Sequence, residues 1–245
     1  MNQQALNMNQ QVFKSLNYTL KKIKDDVDFI KNKFLMKRRK VSLRDPVNLY
    51  ILNKLILNAG SYFERMVISK KIQLRLTYLV LYFSGLRLNE VRQLTYADFQ
   101  QIIQTGEFNI YHSKTNIIKK HYIHQKGRQM FKQYEKEIDI LFNEERFQFL
   151  GSSARNRTIL TTPKKFITFV NTDIKYTLKK FQINQNIKTH SFRIAFITKL
   201  LKITTLQNVS EIVGHKSVSS TMIYNRFNLS LEDKEKIFKN AFDDD

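Results

Sequence analysis

Apolar residues recur at three- and four-residue steps along most of this chain, the spacing that places them on one face of an α-helix. Leu49 to Leu57 and Leu74 to Phe83 are dense apolar segments without proline or glycine. The second stops at Ser84-Gly85, where glycine supplies the geometry of a tight turn into a following helix, Leu88 to Leu94. Further helices are predicted at Gln129 to Phe142, Lys164 to Phe181, Ser191 to Leu201, Thr205 to Val213 and Ser217 to Asn225. A last amphipathic stretch, Leu231 to Phe242, carries Leu231, Ile237, Phe238 and Phe242. One region breaks the period. Between Phe108 and His124 two short runs, FNIYH and KKHYIH, flank a polar Ser-Lys-Thr-Asn, which predicts an antiparallel β-hairpin turning near Lys114 to Asn116. The expected fold class is mainly α with a small antiparallel β-hairpin or sheet.

Residues 1–46 differ from the rest. They hold eleven Lys and Arg against four Asp and end at Asp45-Pro46, a pair that breaks a helix. Phe13, Leu16, Leu20, Ile23, Val27, Ile30 and Phe34 form a narrow helical stripe. This segment is expected to be a short basic helical arm, too small to bury a core of its own, ahead of a main domain over residues 47–245.

Composition narrows the function. The 245 residues carry 42 Lys and Arg against 21 Asp and Glu, a formal charge of +21, which points to a polyanionic partner. A hydrophobic fraction of 42% excludes disorder for most of the chain. With no cysteine there is no disulfide, thiolate metal site or Cys nucleophile, and the five His form no HExxH pattern, so no metal is expected. The N-terminus lacks the order of a secretory signal, and no run of about 18 apolar residues is available to span a bilayer. The positive charge is spread along the chain instead of gathered beside one apolar helix face, which favours nucleic acid over a membrane surface. The abundance of Lys, Asn, Ile and Phe fits an AT-rich coding genome, so the expected location is the cytoplasm or nucleoid of an AT-rich microbe, or an organelle.

Four local signals carry candidate chemistry: Gly85-Leu86-Arg87-Leu88-Asn89-Glu90, the hairpin residues Ser113-Lys114-Thr115, His190-Ser191-Phe192-Arg193, and Gly214-His215 followed nine positions later by Tyr224. A metal-free phosphodiester transfer needs cations on the non-bridging oxygens, a role that suits two Arg and a His. It needs a nucleophile able to form a covalent intermediate, which a Tyr phenol becomes once cations and a base favour loss of its proton. It also needs a proton donor for the leaving 5′ oxygen, for which a Lys on a hairpin is a reasonable carrier, with His190 as base or proton shuttle.

Together these residues resemble the tyrosine recombinases, or phage integrase family, from about Val47 to Phe242. YFSGLRLNEVRQLTYADF resembles the first arginine box, which implies Arg87 as the first catalytic arginine and Glu90 as its acidic partner. HSKT resembles the catalytic-lysine hairpin, implying Lys114 as general acid. KTHSFRIAFITKLL resembles the H-x-x-R box, implying His190 and Arg193, and SEIVGHKSVSSTMIYNRF resembles the last box, implying His215 and the nucleophile Tyr224. Two departures stand out. Ile194 occupies the place where the family commonly has a second His, and the arm before Pro46 stands where typical members carry a helical core-binding domain.

The resemblance implies site-specific cleavage and rejoining of double-stranded DNA through a 3′-phosphotyrosyl link, without metal, ATP or nucleotide cofactor. It also implies a homotetramer on two DNA sites that passes a C-terminal segment to a neighbour, with an accessory protein as a further partner. Taken singly, each residue has a plainer explanation. Arg87 and Lys114 suit solvated or paired surface charges, His190 a helix cap, His215 a turn and Tyr224 a core aromatic. Arg193, on a mostly apolar helix, is harder to dismiss, because a buried Arg without an anionic partner is costly. Two other functions share the same features: a type IB topoisomerase relaxing DNA as a monomer, and a catalytically silent DNA-binding remnant of a mobile element.

Overall fold

The computed structural model describes residues 44–62, 67–112, 116–215 and 217–224. The arm up to Leu43, Lys114 and the stretch from Leu231 to Phe242 lie outside the described residues. In chain order the elements are α1 (Leu49–Leu57), α2 (Ile68–Ser84), α3 (Leu88–Val91), α4 (Tyr96–Gln104), β1 (Glu107–His112), β2 (Ile117–Tyr122), α5 (Gln125–Gln133), α6 (Glu135–Asp139), a π-turn (Ile140–Glu144), α7 (Pro163–Lys180), α8 (Thr189–Leu200), α9 (Leu206–Ile212) and α10 (Ser219–Met222). No described helix is long and apolar enough to cross a membrane.

Helix α2 runs through the centre. Ile72, Leu74, Leu76, Tyr78, Leu79, Val80, Leu81 and Phe83 are all buried, so apolar residues point from several of its faces, the pattern of a helix surrounded by others. It packs against α1, α3, α5, the π-turn and α8. Its buried polar groups are paired, as burial demands: Gln73 Nε2 donates to the carbonyls of Leu150 and Ser152, and the Tyr78 hydroxyl donates to Asp173 Oδ2 at 2.6 Å. Asp173, from α7, also accepts the Gly60 N–H at 2.9 Å, and burial raises its carboxyl above the usual range.

The hairpin forms where alternation placed it. Strands β1 and β2 pair antiparallel, with Phe108 opposite His121 and His112 opposite Ile117, and Phe108, Ile110 and His112 face inward. The single helix expected over Gln129 to Phe142 is instead divided into α5, α6 and the π-turn, beginning four residues earlier. The break comes at Tyr134, which ends α5 and precedes α6, and Phe131, Ile138, Leu141 and Phe142 are buried along the divided segment. Arg75 of α2 ties α6 down through Glu137 at 2.6 Å. Helix α4 replaces an expected connection. Its start is closed by a capping box, with the Thr95 N–H donating to Asp98 Oδ2 at 2.8 Å, and it buries Phe99 and Ile102.

A smaller cluster, Ile197, Val209 and Val213 with Phe196, Leu200 and Leu201 around it, joins α9 to α8. Tyr224 packs against its edge, so the last described residues return to the N-terminal end of α8.

Candidate active site

Helix α2 ends at Gly85 in a left-handed conformation, φ 63°, which is accessible to glycine at little cost. A Cβ placed there would stand 2.3 Å from Phe196 Cδ1, so the close approach of α8 requires glycine a second time. This approach lets Gly85 present its carbonyl to Arg193 of α8.

Arg193 is 2% exposed. Its Nη1 donates to the Gly85 carbonyl at 2.8 Å and its Nη2 to the Val213 carbonyl at 2.6 Å, while Nε is buried without a partner. One guanidinium thus ties the turn after α2 to the turn after α9. Burial, and then the charge of Arg87, pull it down to about 10, which leaves it cationic at neutral pH. Both of these carbonyls are neutral, so the hydrogen bonds leave its charge uncompensated, and Glu90 is the carboxylate whose charge favours the cation.

Arg87 precedes α3, and Glu90 closes the turn around it. The Arg87 N–H donates to Glu90 Oε2 at 2.7 Å and Arg87 Nη1 donates to Oε1 at 3.0 Å. This clasp orients a guanidinium that remains 26% exposed, facing outward where Arg193 does not. His190 sits in the first turn of α8, and its Nε2 lies 2.9 Å from the Tyr224 hydroxyl. His215 follows Gly214, another left-handed glycine with φ 65°. The His215 Nδ1 lies 2.8 Å from Thr221 Oγ1, and its ring stacks on Tyr224 at 6.0 Å and 18°. The Tyr224 phenol is therefore held between two imidazoles on the edge of the small cluster.

Six of the seven expected residues, Arg87, Glu90, His190, Arg193, His215 and Tyr224, are thus linked by direct contacts or by their mutual electrostatics. The seventh, Lys114, lies outside the described residues, between β1 and β2. Ile194, where a second His was anticipated by resemblance, is buried.

Two residues escaped the sequence reading. His112 Nδ1 lies 3.0 Å from Glu90 Oε1, and His112 Nε2 lies 2.8 Å from His121 Nε2, both rings buried on the inward face of the hairpin. The Gly214 turn lies beside the same ring, since a Cβ on Gly214 would be 3.4 Å from His112 Cε1. The alternation that buries Phe108 and Ile110 is the signal that would have placed His112 inside.

The model of the phage integrase family matches residues 54–230. No curated protein matches the sequence at a significant level. Among solved structures, the XerA recombinase superposes with a TM-score of 0.57 at 18% identity, covering 82% of this chain and 64% of that one. The XerH site-specific recombinase bound to its difH substrate gives 0.53 at 22% identity, covering 80% and 53%. The Tn1549 transposon integrase in complex with transposon right end DNA gives 0.55 at 12%, covering 81% and 66%. The chain spans between about half and two thirds of the length of these structures, and the likeness establishes a shared fold. Since the family model covers well over half of the chain, in the same region that carries both arginine turns, the final histidine turn and Tyr224, this protein belongs to the phage integrase family of tyrosine recombinases.

Proposed function

We propose that the protein is a site-specific recombinase or integrase that cleaves and rejoins double-stranded DNA through Tyr224. The observation that carries this reading is the contact between the Tyr224 hydroxyl and His190, beside the buried Arg193. A scissile phosphate lying against Arg87 and Arg193 would have its non-bridging oxygens matched by guanidinium donors, the arrangement that lowers the energy of a pentacovalent transition state. Tyr224 attacks phosphorus, His190 accepts the phenolic proton, and the bond from phosphorus to the 5′ oxygen breaks. Lys114 delivers a proton to that oxygen, and His215 steadies the phenol and the phosphate. The 3′-phosphotyrosyl link conserves the energy of the broken bond, so a 5′ hydroxyl from the same or a partner strand reverses the step without ATP.

The charge of +21 supports duplex binding through the phosphate backbone. The basic arm, residues 1–46, adds phosphate contacts, and two DNA sites are brought together by a homotetramer, with an accessory protein contributing to site choice. The test is covalent trapping on nicked duplexes drawn from the DNA that flanks the gene. Release of a short fragment beside the nick blocks religation, and a protein–DNA adduct is expected with the native chain and not with Tyr224→Phe. Binding that is identical with both chains, with no adduct from either, would instead mark a silent DNA-binding protein. Relaxation of supercoiled plasmid without site preference would mark a topoisomerase.

A further inference from the structure

We propose that His112 and His121 are positioning residues for Arg87, acting through the carboxylate of Glu90. The inference rests on the reading of Arg87 as a guanidinium that receives the scissile phosphate. Glu90 Oε1 is shared: it accepts Arg87 Nη1 at 3.0 Å and faces His112 Nδ1 at the same distance. A carboxylate oxygen only accepts, so His112 must donate through Nδ1, and a neutral ring then carries its lone pair on Nε2. That lone pair lies 2.8 Å from His121 Nε2, which must therefore be the donor. One set of tautomers satisfies the whole chain, with both imidazoles neutral, and it runs from β2 through β1 to the turn that holds Arg87.

Burial and the neighbouring cations favour neutral rings. Burial is the largest influence on both rings; it lowers His112 and, with the neighbouring His112, holds His121 down to about 4. Among the described residues, the charged groups facing the pair are Arg87 and Glu90 from the α2–α3 turn and α3, Lys119 from β2 and Arg193 from α8. The three cations disfavour protonation, and Glu90 alone favours it. A neutral donor fixes the Glu90 carboxylate in place without cancelling its charge, so the attraction for Arg87 is kept. Were the Nδ1 donor lost, a nearly buried carboxylate oxygen would lack part of its shell and would turn toward another donor, carrying Arg87 Nη1 with it.

The experiment compares cleavage by the full chain on two duplexes, one with the natural scissile phosphate and one with a methylphosphonate at that link. The methyl group removes a non-bridging charge, so help from Arg87 counts for less. His112→Leu and His121→Leu are expected to slow cleavage of the phosphate by about tenfold or more, and the deficit should shrink to about threefold or less on the methylphosphonate, as it should for Arg87→Ala. His121→Gln restores an N–H donor toward His112 Nε2 and should recover most of the rate lost in His121→Leu. Equal deficits on both duplexes, or none, would overturn the proposal. A second measurement does not depend on activity or on the leucine variants folding: imidazole 15N NMR of the native chain should show His112 protonated on Nδ1 and His121 on Nε2 at pH 7, and the opposite tautomers or an imidazolium would also overturn it. Failure of the underlying reading looks different, since Arg87→Ala would then gain nothing from the methylphosphonate, or Tyr224→Phe would still form adduct.

Discussion

The Nε2 of His190 and the hydroxyl of Tyr224 stand 2.9 Å apart although 34 residues separate them in sequence. The intervening chain completes α8, forms α9, turns at Gly214 and returns through α10, so two short helices and one left-handed glycine set this distance. At hydrogen-bond length the imidazole is placed to accept the phenolic proton. His190→Ala is expected to lower the rate of adduct formation by about a hundredfold while leaving duplex affinity unchanged, because the variant removes proton transfer and no phosphate donor. Single-turnover cleavage and a binding titration at one salt concentration separate the two effects.

Gly85 should tolerate no side chain. An alanine there would have to hold φ near 63° with its Cβ pressed into the Phe196 ring, and any relief would move the carbonyl that anchors Arg193. Gly85→Ala is expected to cost about 2–4 kcal/mol of stability through strain and overpacking. Urea denaturation measures the loss, and cleavage should fall even at temperatures where the variant is folded.

Asp173 and Tyr78 hold α7 to α2, and neither belongs to the groups placed at the phosphate. Asp173→Ala would strand both the Tyr78 hydroxyl and the Gly60 N–H in the core, an expected loss of about 3–5 kcal/mol. Tyr78→Phe removes one donor and leaves the carboxylate its bond from Gly60, so a loss of about 1–3 kcal/mol is expected. Below their melting transitions both variants should still form adduct, in contrast to Gly85→Ala.

Acid should weaken the fold through the hairpin. His121 is held near 4 in the folded chain against about 6.5 when unfolded, so between these values the unfolded chain binds more protons. The stabilisation by neutral His121 is complete above about pH 6.5 and is lost as pH falls toward 4. Carboxylates titrate in the same range, so the informative quantity is the difference between native and His121→Gln chains. The denaturation midpoint of the native chain should fall more steeply between pH 7 and 4.5.

Much of this was legible in the sequence, for physical reasons that differ by element. Helices α1 and α7 follow the apolar period closely, α8 lies in a mostly apolar run buried on several faces, and the hairpin is where the period changes from helical to alternating. The turn at Gly85 was read from glycine alone. Helix α4 was overlooked although Thr95 and Asp98 spell a capping box and Tyr96, Phe99, Ile102 and Ile103 recur at helical spacing. The division of α5 from α6 and the π-turn has no counterpart in the apolar pattern, since Phe131, Ile138, Leu141 and Phe142 would share one face of an unbroken helix. For the site, the resemblance of the ordered boxes to the family pattern is what proposes Arg87, Glu90, Lys114, His190, Arg193, His215 and Tyr224. His112 and His121 belong to no box. Their partnership exists only once β1 and β2 are paired and laid against Glu90, a contact made by tertiary packing.

The most direct test is to find where the DNA is attached. The adduct formed on a nicked duplex would be digested with protease and nuclease and the nucleotide-bearing peptide sequenced by mass spectrometry. The expected result is a single modified peptide with the nucleotide joined through its 3′ phosphate to Tyr224. Attachment at another of the 11 tyrosines, or a link through a 5′ phosphate, would contradict the placing of the reaction between His190, Arg193 and Tyr224.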